Sequence, residues 1–254
     1  MKLQENMVSV VLPVYNAGKY LHECLESLLN QTHTNIQIIA IDDKSRDDSY
    51  KILKNFQRQY KGITIFKNKK HYGMAVCYNR ALKLAKGRFV TFMNPHDSNN
   101  LHRFKRQISF LLKNPKTVAV GTQYTRIDEQ NKRLEKSTLP EEQATIYNTM
   151  IHASSLHPET LLIDRMQLPK DLLYFRNQKY PFIFSEVFLK FFQYGKVANI
   201  TQSLYYHREN IKRYSRNHSK LKQMTTMMKL WVTAREHNYR PSLRSFLPQV
   251  VKGI

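Results

Sequence analysis

The sequence predicts an α/β fold in which a mixed, mainly parallel sheet is flanked by helices. Three apolar runs of strand length lie within residues 7–97, and each run ends in a polar turn. A stretch with the helical spacing of apolar residues separates each run from the next. This alternation is typical of parallel strands joined by crossover helices. Because ligands of such sheets bind at the carboxyl ends of the strands, the polar turns are the candidate site.

The first half of the chain alternates regularly between the two patterns. Residues 8–12 form a continuous apolar run, which is typical of a strand buried on both faces. Asp47 and Asp48 are expected to open the second helix as cap and first-turn acids, and Gly87 to end the third. The same patterns predict strands at residues 36–41, 63–66, 88–93 and 117–127, and helices at residues 19–30, 47–60, 74–86 and 101–112.

The second half is less regular. We expect strands at residues 160–163, 196–200 and 203–206 and a helix at residues 183–194. Residues 216–236 have the pattern of a basic amphipathic helix, whose apolar positions are Leu221, Met224, Met227, Met228 and Trp231.

The formal net charge of +22 is large for 254 residues, and the end of the chain is the most basic part. Residues 209–254 carry ten Lys or Arg against two Glu. Such charge attracts nucleic acid, anionic lipid or phosphate-rich polymers. No recognisable nucleic-acid-binding signature is present, so we expect no specific nucleic-acid partner.

Cys24 and Cys77 have neither metal-ligand nor redox spacing, and both fall within predicted helices. We therefore expect buried free thiols in a reducing compartment. The N-terminus does not have the pattern of a secretory signal, and no stretch approaches the ~18 apolar residues that span a bilayer. These features predict a cytoplasmic protein. The basic helix either docks on the anionic inner face of the cell membrane, covers the core, or joins two copies in a homo-oligomer.

The polar turns and their neighbours carry a set of ordered motifs. The chain resembles the family 2 glycosyltransferases of the GT-A (Rossmann-like) fold, which are inverting enzymes that use nucleotide-diphosphate sugars. The resemblance covers roughly residues 7–215. It rests on Pro-Val-Tyr-Asn at residues 13–16, Asp-Asp-Lys-Ser-Arg-Asp at 42–47, Gly73 through Asn79, Gly87 through Asp97, His157-Pro158 with residues 161–165, Ser185-Glu186, and Tyr206-His207-Arg208.

The resemblance implies a domain at residues 1–215, with a nucleotide half at about 7–97 and an acceptor half at about 98–215. Residues 216–254 would be a basic helical C-terminal extension. The implied function is transfer from a nucleotide-sugar donor, most simply a UDP-sugar, to an envelope polysaccharide, a teichoic-acid-like polymer or a polyprenyl-phosphate-linked acceptor. The alternative is a catalytically impaired pseudo-glycosyltransferase that binds nucleotide or acts as a scaffold.

The resemblance also implies a donor site. The Pro13-Val14-Tyr15 backbone would line the nucleoside, and Asp43 would accept a hydrogen bond from the edge of the base. Gly73 would permit close approach of its loop. Alternatively, Asp43 is an ordinary turn residue and Tyr15 a packing aromatic. The remaining residues implied to contact the donor are Asn79, Asn94 and Arg208, of which the arginine would pair with the diphosphate.

Two departures from the family pattern fall on its chemical centre. The family's Asp-x-Asp holds a divalent cation such as Mn or Mg, whereas Asn94 and His96 stand at these positions and only Asp97 remains acidic. His96 and Asp97 would then form a weakened or more selective metal site, or no metal site at all. Val187 stands at the position of the family's general base. Glu186 is the nearest carboxylate, although neighbouring side chains of a helix point about 100° apart. Either the backbone presents Glu186 as the base, or another group serves, or this step is not catalysed.

Overall fold

The structure, a computed structural model, describes residues 3–149, 155–176 and 183–209, together with residues 232, 235, 236, 239 and 240. Within these residues the strands are β1 (Gln4–Val14), β2 (Ile36–Asp42), β3 (Ile63–Lys67), β4 (Gly87–Phe92), β5 (Ser98–Asn99), β6 (Thr117–Ile127), β7 (Arg133–Lys136), β8 (Leu162–Asp164) and β9 (Lys196–Arg208). The helices are α1 (Gly18–Leu29), α2 (Ser49–Gln59), α3 (Met74–Leu84), α4 (Arg103–Lys113), α5 (Gln143–Thr149) and α6 (Ser185–Leu189). The predicted basic helix and the domain boundary near residue 215 lie almost wholly outside the described residues.

The described strands form one mixed sheet in the order β3-β2-β1-β4-β8-β6-β9-β5, with β7 paired to β6. The pairs among β1, β2, β3 and β4 are parallel, as is the pair of β6 with β9. The remaining pairs, which include β8 with β4 and β6, are antiparallel. The predicted α/β architecture is therefore confirmed.

Each face of the sheet is covered by its own apolar cluster. Val10 and Leu12 of β1 pack with α1, α2 and α4, while Val11 belongs to the cluster of α3 and α6 on the other face. All three side chains are fully buried, and burial of one such side chain stabilises the fold by roughly 1.5–3 kcal/mol. The two-sided burial explains why these strands are continuously apolar. It also leaves the ends of the strands as the sites for polar residues.

Gly87 does not end α3 as predicted. The helix ends at Leu84, and Gly87 is the first residue of β4. A Cβ atom at this position would lie 2.5 Å from the carbonyl oxygen of Met7, so β1 and β4 approach each other too closely for any side chain here. The glycine is required by strand packing rather than by a helix terminus.

The second half departs further from the predicted elements. The two predicted strands at residues 196–206 form one strand, β9, which runs beside β6 with shifts in register. The predicted strand at 160–163 is a 3₁₀ turn (Pro158–Thr160) followed by β8, and the predicted helix at 183–194 is the short α6 followed by a 3₁₀ turn (Lys190–Gln193). The hairpin strand β7 carries four exposed residues and therefore had no apolar pattern to reveal it.

Cys24 of α1 and Cys77 of α3 are buried free thiols, as predicted. Burial raises the pKa of the Cys77 thiol to about 12. Within the described part of the chain, no helix is both long enough and apolar enough to cross a membrane.

Candidate functional site

The loops that follow β1 and β2 are joined to each other at the carboxyl edge of the sheet. The backbone N–H of Asn16 donates to Ser45 Oγ (3.1 Å), and its side-chain oxygen accepts from the backbone N–H of Arg46 (2.8 Å). One residue on, the backbone N–H of Ala17 donates to Ser49 Oγ (2.8 Å). These bonds hold the predicted Pro13-Val14-Tyr15 element in a fixed position relative to the Asp-Asp motif.

Asp47 joins the same two loops and shows how α2 begins. Asp48 occupies the cap position rather than the first turn and makes no side-chain cap bond, so its predicted role as a first-turn acid is wrong. Asp47 Oδ1 instead accepts from the N–H and the hydroxyl of Ser49 (3.1 and 2.6 Å), and its Oδ2 accepts from the N–H of Gly18 (2.8 Å). Burial would raise the pKa of Asp47, but these hydrogen bonds outweigh it and the pKa is lowered.

Asp43 ties the loop after β3 to this assembly. Its buried carboxylate accepts from the backbone N–H groups of Tyr72 (2.9 Å) and Gly73 (2.8 Å) and from the Asn68 amide (2.6 Å). His71 Nδ1 lies 2.9 Å from its Oδ2. The structure thus brings Asp43 and Gly73 together, and it also gives Asp43 a structural role at a turn.

Arg80 extends this network, although no sequence motif predicted a role for it. Its guanidinium donates to Asn68 Oδ1 and lies over the ring of Tyr72 at 4.5 Å. On the same helix, Tyr78 points into the core against Phe92 at 5.1 Å. Arg80 therefore places a cation beside the loop after β3.

One side of this loop assembly is open. Gly73 has a φ of 88°, in the region that favours glycine, and a Cβ atom built on it would find no atom of the described residues within 4 Å. Nearby, Tyr15 is 39% exposed and carries the ring of His71 at a centroid distance of 4.2 Å. The space beside Gly73 is where a ligand can approach the backbone.

Lys44, which follows the Asp-Asp pair, has a φ of 67°. The backbone thus keeps the left-handed turn that glycine adopts without cost, even though lysine disfavours it. The side chain is exposed, so it does not crowd the turn.

A second group of predicted residues surrounds the loop after β4. Asp97 is 1% exposed, and its carboxylate accepts from the hydroxyl of Tyr205 (2.8 Å) and the backbone N–H of Arg208 (2.9 Å). His207 Nδ1 lies 3.1 Å from the same carboxylate. Burial lowers the pKa of His207, but Asp97 and nearby Glu159 outweigh it and the pKa is raised. Asp97 therefore anchors the loop to β9.

Arg208 is buried in the same place. Its guanidinium donates to the backbone oxygens of His96 (2.9 Å) and Asp128 (2.8 Å) and to the side chains of Glu23 (2.8 Å) and Asn131 (2.6 Å). The predicted contact with a diphosphate would require these bonds to be exchanged, and it stays a prediction.

The predicted metal residues do not fit a metal ion as placed. Asp97 already has three donors around its carboxylate, and the Asn94 side-chain oxygen accepts from the N–H of His96 (3.2 Å). Throughout the described ranges, no group of three or more His, Cys, Asp or Glu is arranged to hold a metal ion. The predicted metal site at His96 and Asp97 stays a prediction, and in this placement the Asp97 carboxylate joins the loop after β4 to β9.

Asn79 contacts the segment before α6. Its amide makes a pair of hydrogen bonds with the backbone of Phe175, donating to the oxygen (2.7 Å) and accepting from the N–H (2.9 Å). A nucleotide contact by Asn79 stays a prediction, because its amide here positions the segment before α6.

Glu186 and Val187 differ in their surroundings. Val187 is 1% exposed and belongs to the apolar core, so the position of the family's base holds no group that accepts a proton. The Glu186 carboxylate lies 3.4 Å from Arg176 Nε and 3.6 Å from Lys190 Nζ. The catalytic role of Glu186 stays a prediction, and its carboxylate is paired with two cations.

Sequence reasoning missed a buried polar cluster between α4, β9 and the 3₁₀ turn at Pro158–Thr160. Arg103 is fully buried, donates to Thr91 Oγ1 (2.8 Å) and to the backbone oxygen of Glu159 (2.6 Å), and lies over the ring of Tyr205 at 5.1 Å. Burial lowers the pKa of Arg103 to about 10, which leaves it charged at neutral pH. The apolar stripe of α4 predicted no arginine on the buried face.

Comparison with known proteins agrees with these observations. The sequence model described as Glycosyl transferase family 2 matches residues 9–170. A protein of Haemophilus influenzae named "uncharacterized glycosyltransferase" is 30% identical over 174 residues, which are 68% of each chain. The minor teichoic acid biosynthesis protein GgaB of Bacillus subtilis is 36% identical over 104 residues, which are 40% of this chain and 12% of GgaB.

The fold is also similar to that of a solved protein. The structure of Staphylococcus aureus TarS 1–349 with UDP-GlcNAc superimposes with a TM-score of 0.72 at 20% identity, covering 89% of this chain and 66% of that one. This similarity confirms the GT-A fold. The chain spans slightly less than two thirds of that TarS fragment and a small part of GgaB.

Proposed function

We propose, from the premise that the chain belongs to glycosyl transferase family 2, that it transfers a sugar from a UDP-sugar to a hydroxyl group of an anionic envelope polymer. Inversion at the anomeric carbon is part of the proposal, because this is the course that the family resemblance implies. Teichoic-acid-like polymers and polyprenyl-phosphate-linked glycans are the proposed classes of acceptor.

The observation that carries the proposal is the convergence of the loops after β1, β2 and β3. Asp43 by itself connects the three loops. Its N–H donates to Val14 of β1 (2.8 Å), and its carboxylate accepts from the loop that ends at Gly73. The loops meet at the carboxyl edge of parallel strands, where nucleotides bind in open α/β sheets. The open space beside Gly73 lets a ligand reach the backbone and the N-terminus of α3, which favours an anionic group.

The choice of donor and acceptor draws on the relatives. TarS was solved with UDP-GlcNAc, and GgaB is named for teichoic acid biosynthesis. The net charge of +22 suits an acceptor that carries phosphate groups. We propose residues 7–97 as the nucleotide half and residues 98–215 as the acceptor half, with a basic extension at 216–254.

The site residues follow from the same reasoning. We propose that Pro13, Val14 and Tyr15 line the nucleoside and that Asp43 meets the edge of the base. The resemblance offers Glu186 as the general base, but its carboxylate is paired with Arg176 and Lys190, so the proposed transfer does not depend on it. The proposed reaction routes no step through a metal, because the residues around Asp97 do not fit one.

A pseudo-glycosyltransferase is the second candidate, and one observation favours it. Val187 lies in the core, and Asn94 and His96 replace acids of the family pattern. A chain of this kind would bind nucleotide-sugar without turning it over.

Calorimetry of the full chain with UDP-GlcNAc and UDP-glucose, paired with an assay of UDP release, tests the function. We expect binding with a Kd between about 1 μM and 1 mM, and turnover of at least one donor with or without Mn²⁺. The Tyr15→Ala variant should bind UDP roughly tenfold more weakly, because stacking on an aromatic ring stabilises a base by about 1–3 kcal/mol.

Tyr60→Ala is the matched control, since Tyr60 is 42% exposed and follows α2 at the opposite edge of the sheet. It should bind UDP as the wild type does. Binding without any turnover would favour the pseudo-glycosyltransferase. The absence of UDP binding would contradict both candidates.

A further inference from the structure

Two imidazoles face each other beside the loop after β4, and each is turned toward a carboxylate. The ring centroids of His157 and His207 are 5.0 Å apart. His157 Nδ1 lies 3.1 Å from Glu159 Oε2, and His207 Nδ1 lies 3.1 Å from Asp97 Oδ2. Tyr124 of β6 packs against both rings, at 4.5 Å from His157 and 5.8 Å from His207. The pair sits where the acceptor half meets the loop after β4.

The pair of His157 and Glu159 is held rigidly. The backbone oxygen of His157 accepts from the N–H (2.9 Å) and the hydroxyl (2.8 Å) of Thr160, and the backbone oxygen of Glu159 accepts from buried Arg103 (2.6 Å). The side chains are 15% and 16% exposed, so the pair is largely buried but still reaches the surface.

Glu159 stays ionised in this setting. Burial would raise the pKa of Glu159, but the interactions with His157 and His207 outweigh it and the pKa is lowered. A carboxylate beside one ring nitrogen fixes the orientation of an imidazole and stabilises the cation that forms when the ring takes up a proton. Glu159 lies beside Nδ1, which leaves Nε2 as the nitrogen that would receive a proton from a substrate.

The other candidates for a general base are less suited. Val187 cannot accept a proton, and the carboxylate of Glu186 is paired with Arg176 and Lys190. The carboxylate beside His207 is Asp97, which also accepts from Tyr205 and the backbone of Arg208 and so serves the fold.

We propose that His157 is the general base of the transfer and that Glu159 is its positioning residue. This inference rests on the proposed glycosyl transfer. As the acceptor oxygen bonds to the anomeric carbon, its O–H bond breaks and the proton passes to Nε2 of His157. The bond between the anomeric carbon and the β-phosphate oxygen breaks on the opposite side, and its electron pair leaves with UDP. No further reactant is needed.

The charged and titratable groups around His157 are few. Glu159 adjoins it in the turn, His207 and Tyr205 face it from β9, and Tyr124 faces it from β6. Glu159→Gln should therefore lower kcat while the Kd for UDP stays within twofold of the wild type, because the neutral amide no longer orients the imidazole or stabilises the cation that it forms in the transfer.

The full chain with UDP-GlcNAc and water as acceptor provides the test, with UDP release as the readout. We expect His157→Gln to lower kcat by about 10² to 10⁴ while the Kd for UDP stays within twofold of the wild type. Added imidazole should restore part of the activity of His157→Gly. The matched control is His22→Gln, because His22 likewise lies beside a carboxylate, that of Glu26 on α1 at 3.3 Å, but is 64% exposed and has no role in the proposed transfer.

Unchanged turnover by His157→Gln would overturn the inference, as would the loss of turnover in Glu186→Gln alone. If His157→Gln no longer binds UDP, the variant is misfolded, and the kcat of Glu159→Gln decides: an unchanged kcat overturns the inference. A wild type that binds UDP but releases none from any UDP-sugar contradicts the proposed function itself.

Discussion

The Asp97→Asn variant is expected to lose about 3–5 kcal/mol of its free energy of unfolding. The buried carboxylate accepts from Tyr205, His207 and the backbone of Arg208, and these donors join the loop after β4 to β9. An amide presents one oxygen in place of two and directs its own N–H groups at the donors. The buried donors then lack partners, and the raised pKa of His207 falls because the adjacent negative charge is gone.

Urea unfolding followed by circular dichroism measures this effect, and Asp48→Asn is the matched control. Asp48 is exposed and makes no side-chain cap bond, so its substitution should change the stability by less than about 0.5 kcal/mol. The loss in Asp97→Asn should be the same with and without Mn²⁺. A loss that appears only in the presence of Mn²⁺ would show that Asp97 binds metal, contrary to its placement here.

The Arg103→Met variant is expected to lose about 3 kcal/mol or more. Methionine replaces the apolar stem of the arginine, but it leaves the oxygens of Thr91, Asn99, Gln107 and Glu159 without their donor. These oxygens lie on separate elements, so the variant should loosen the turn that carries His157 as well as destabilise the sheet.

Arg106→Met tests whether the loss is specific to this position. Arg106 lies on the same helix but is exposed, and its substitution should be nearly neutral. Thermal unfolding of both variants gives the comparison. Equal melting temperatures for Arg103→Met and Arg106→Met would show that the buried guanidinium does not hold these elements together.

The first half of the fold could be predicted from the sequence because each of its elements has a regular local pattern. The strands β1, β2 and β4 are apolar on both faces, each crossover helix has one apolar stripe, and polar residues occur where strands end. The motif order then placed Tyr15, Asp43 and Gly73 at one edge. Hydrogen bonds among their loops confirm that this edge is one assembly.

The second half was less accessible because its key contacts join distant segments. Asp97 and Tyr205 are 108 positions apart, and β9 meets β6 through an irregular register that no local pattern reveals. The resemblance implied that Arg208 binds phosphate, whereas its burial depends on packing against Tyr20 at 4.3 Å and on oxygens from two loops and from α1. His157 was noted only as part of a motif, because Glu159 becomes its partner through a 3₁₀ turn that no local pattern predicted.

A crystal structure of the full chain with UDP tests most directly the claim that the loops after β1, β2 and β3 form the donor site. We predict that the uracil lies against Tyr15 within hydrogen-bonding distance of Asp43, and that the diphosphate lies beside Gly73. UDP bound elsewhere, for example in the shallow pocket formed by His33, Lys105 and Ile108 at the other edge of the sheet, would contradict the claim.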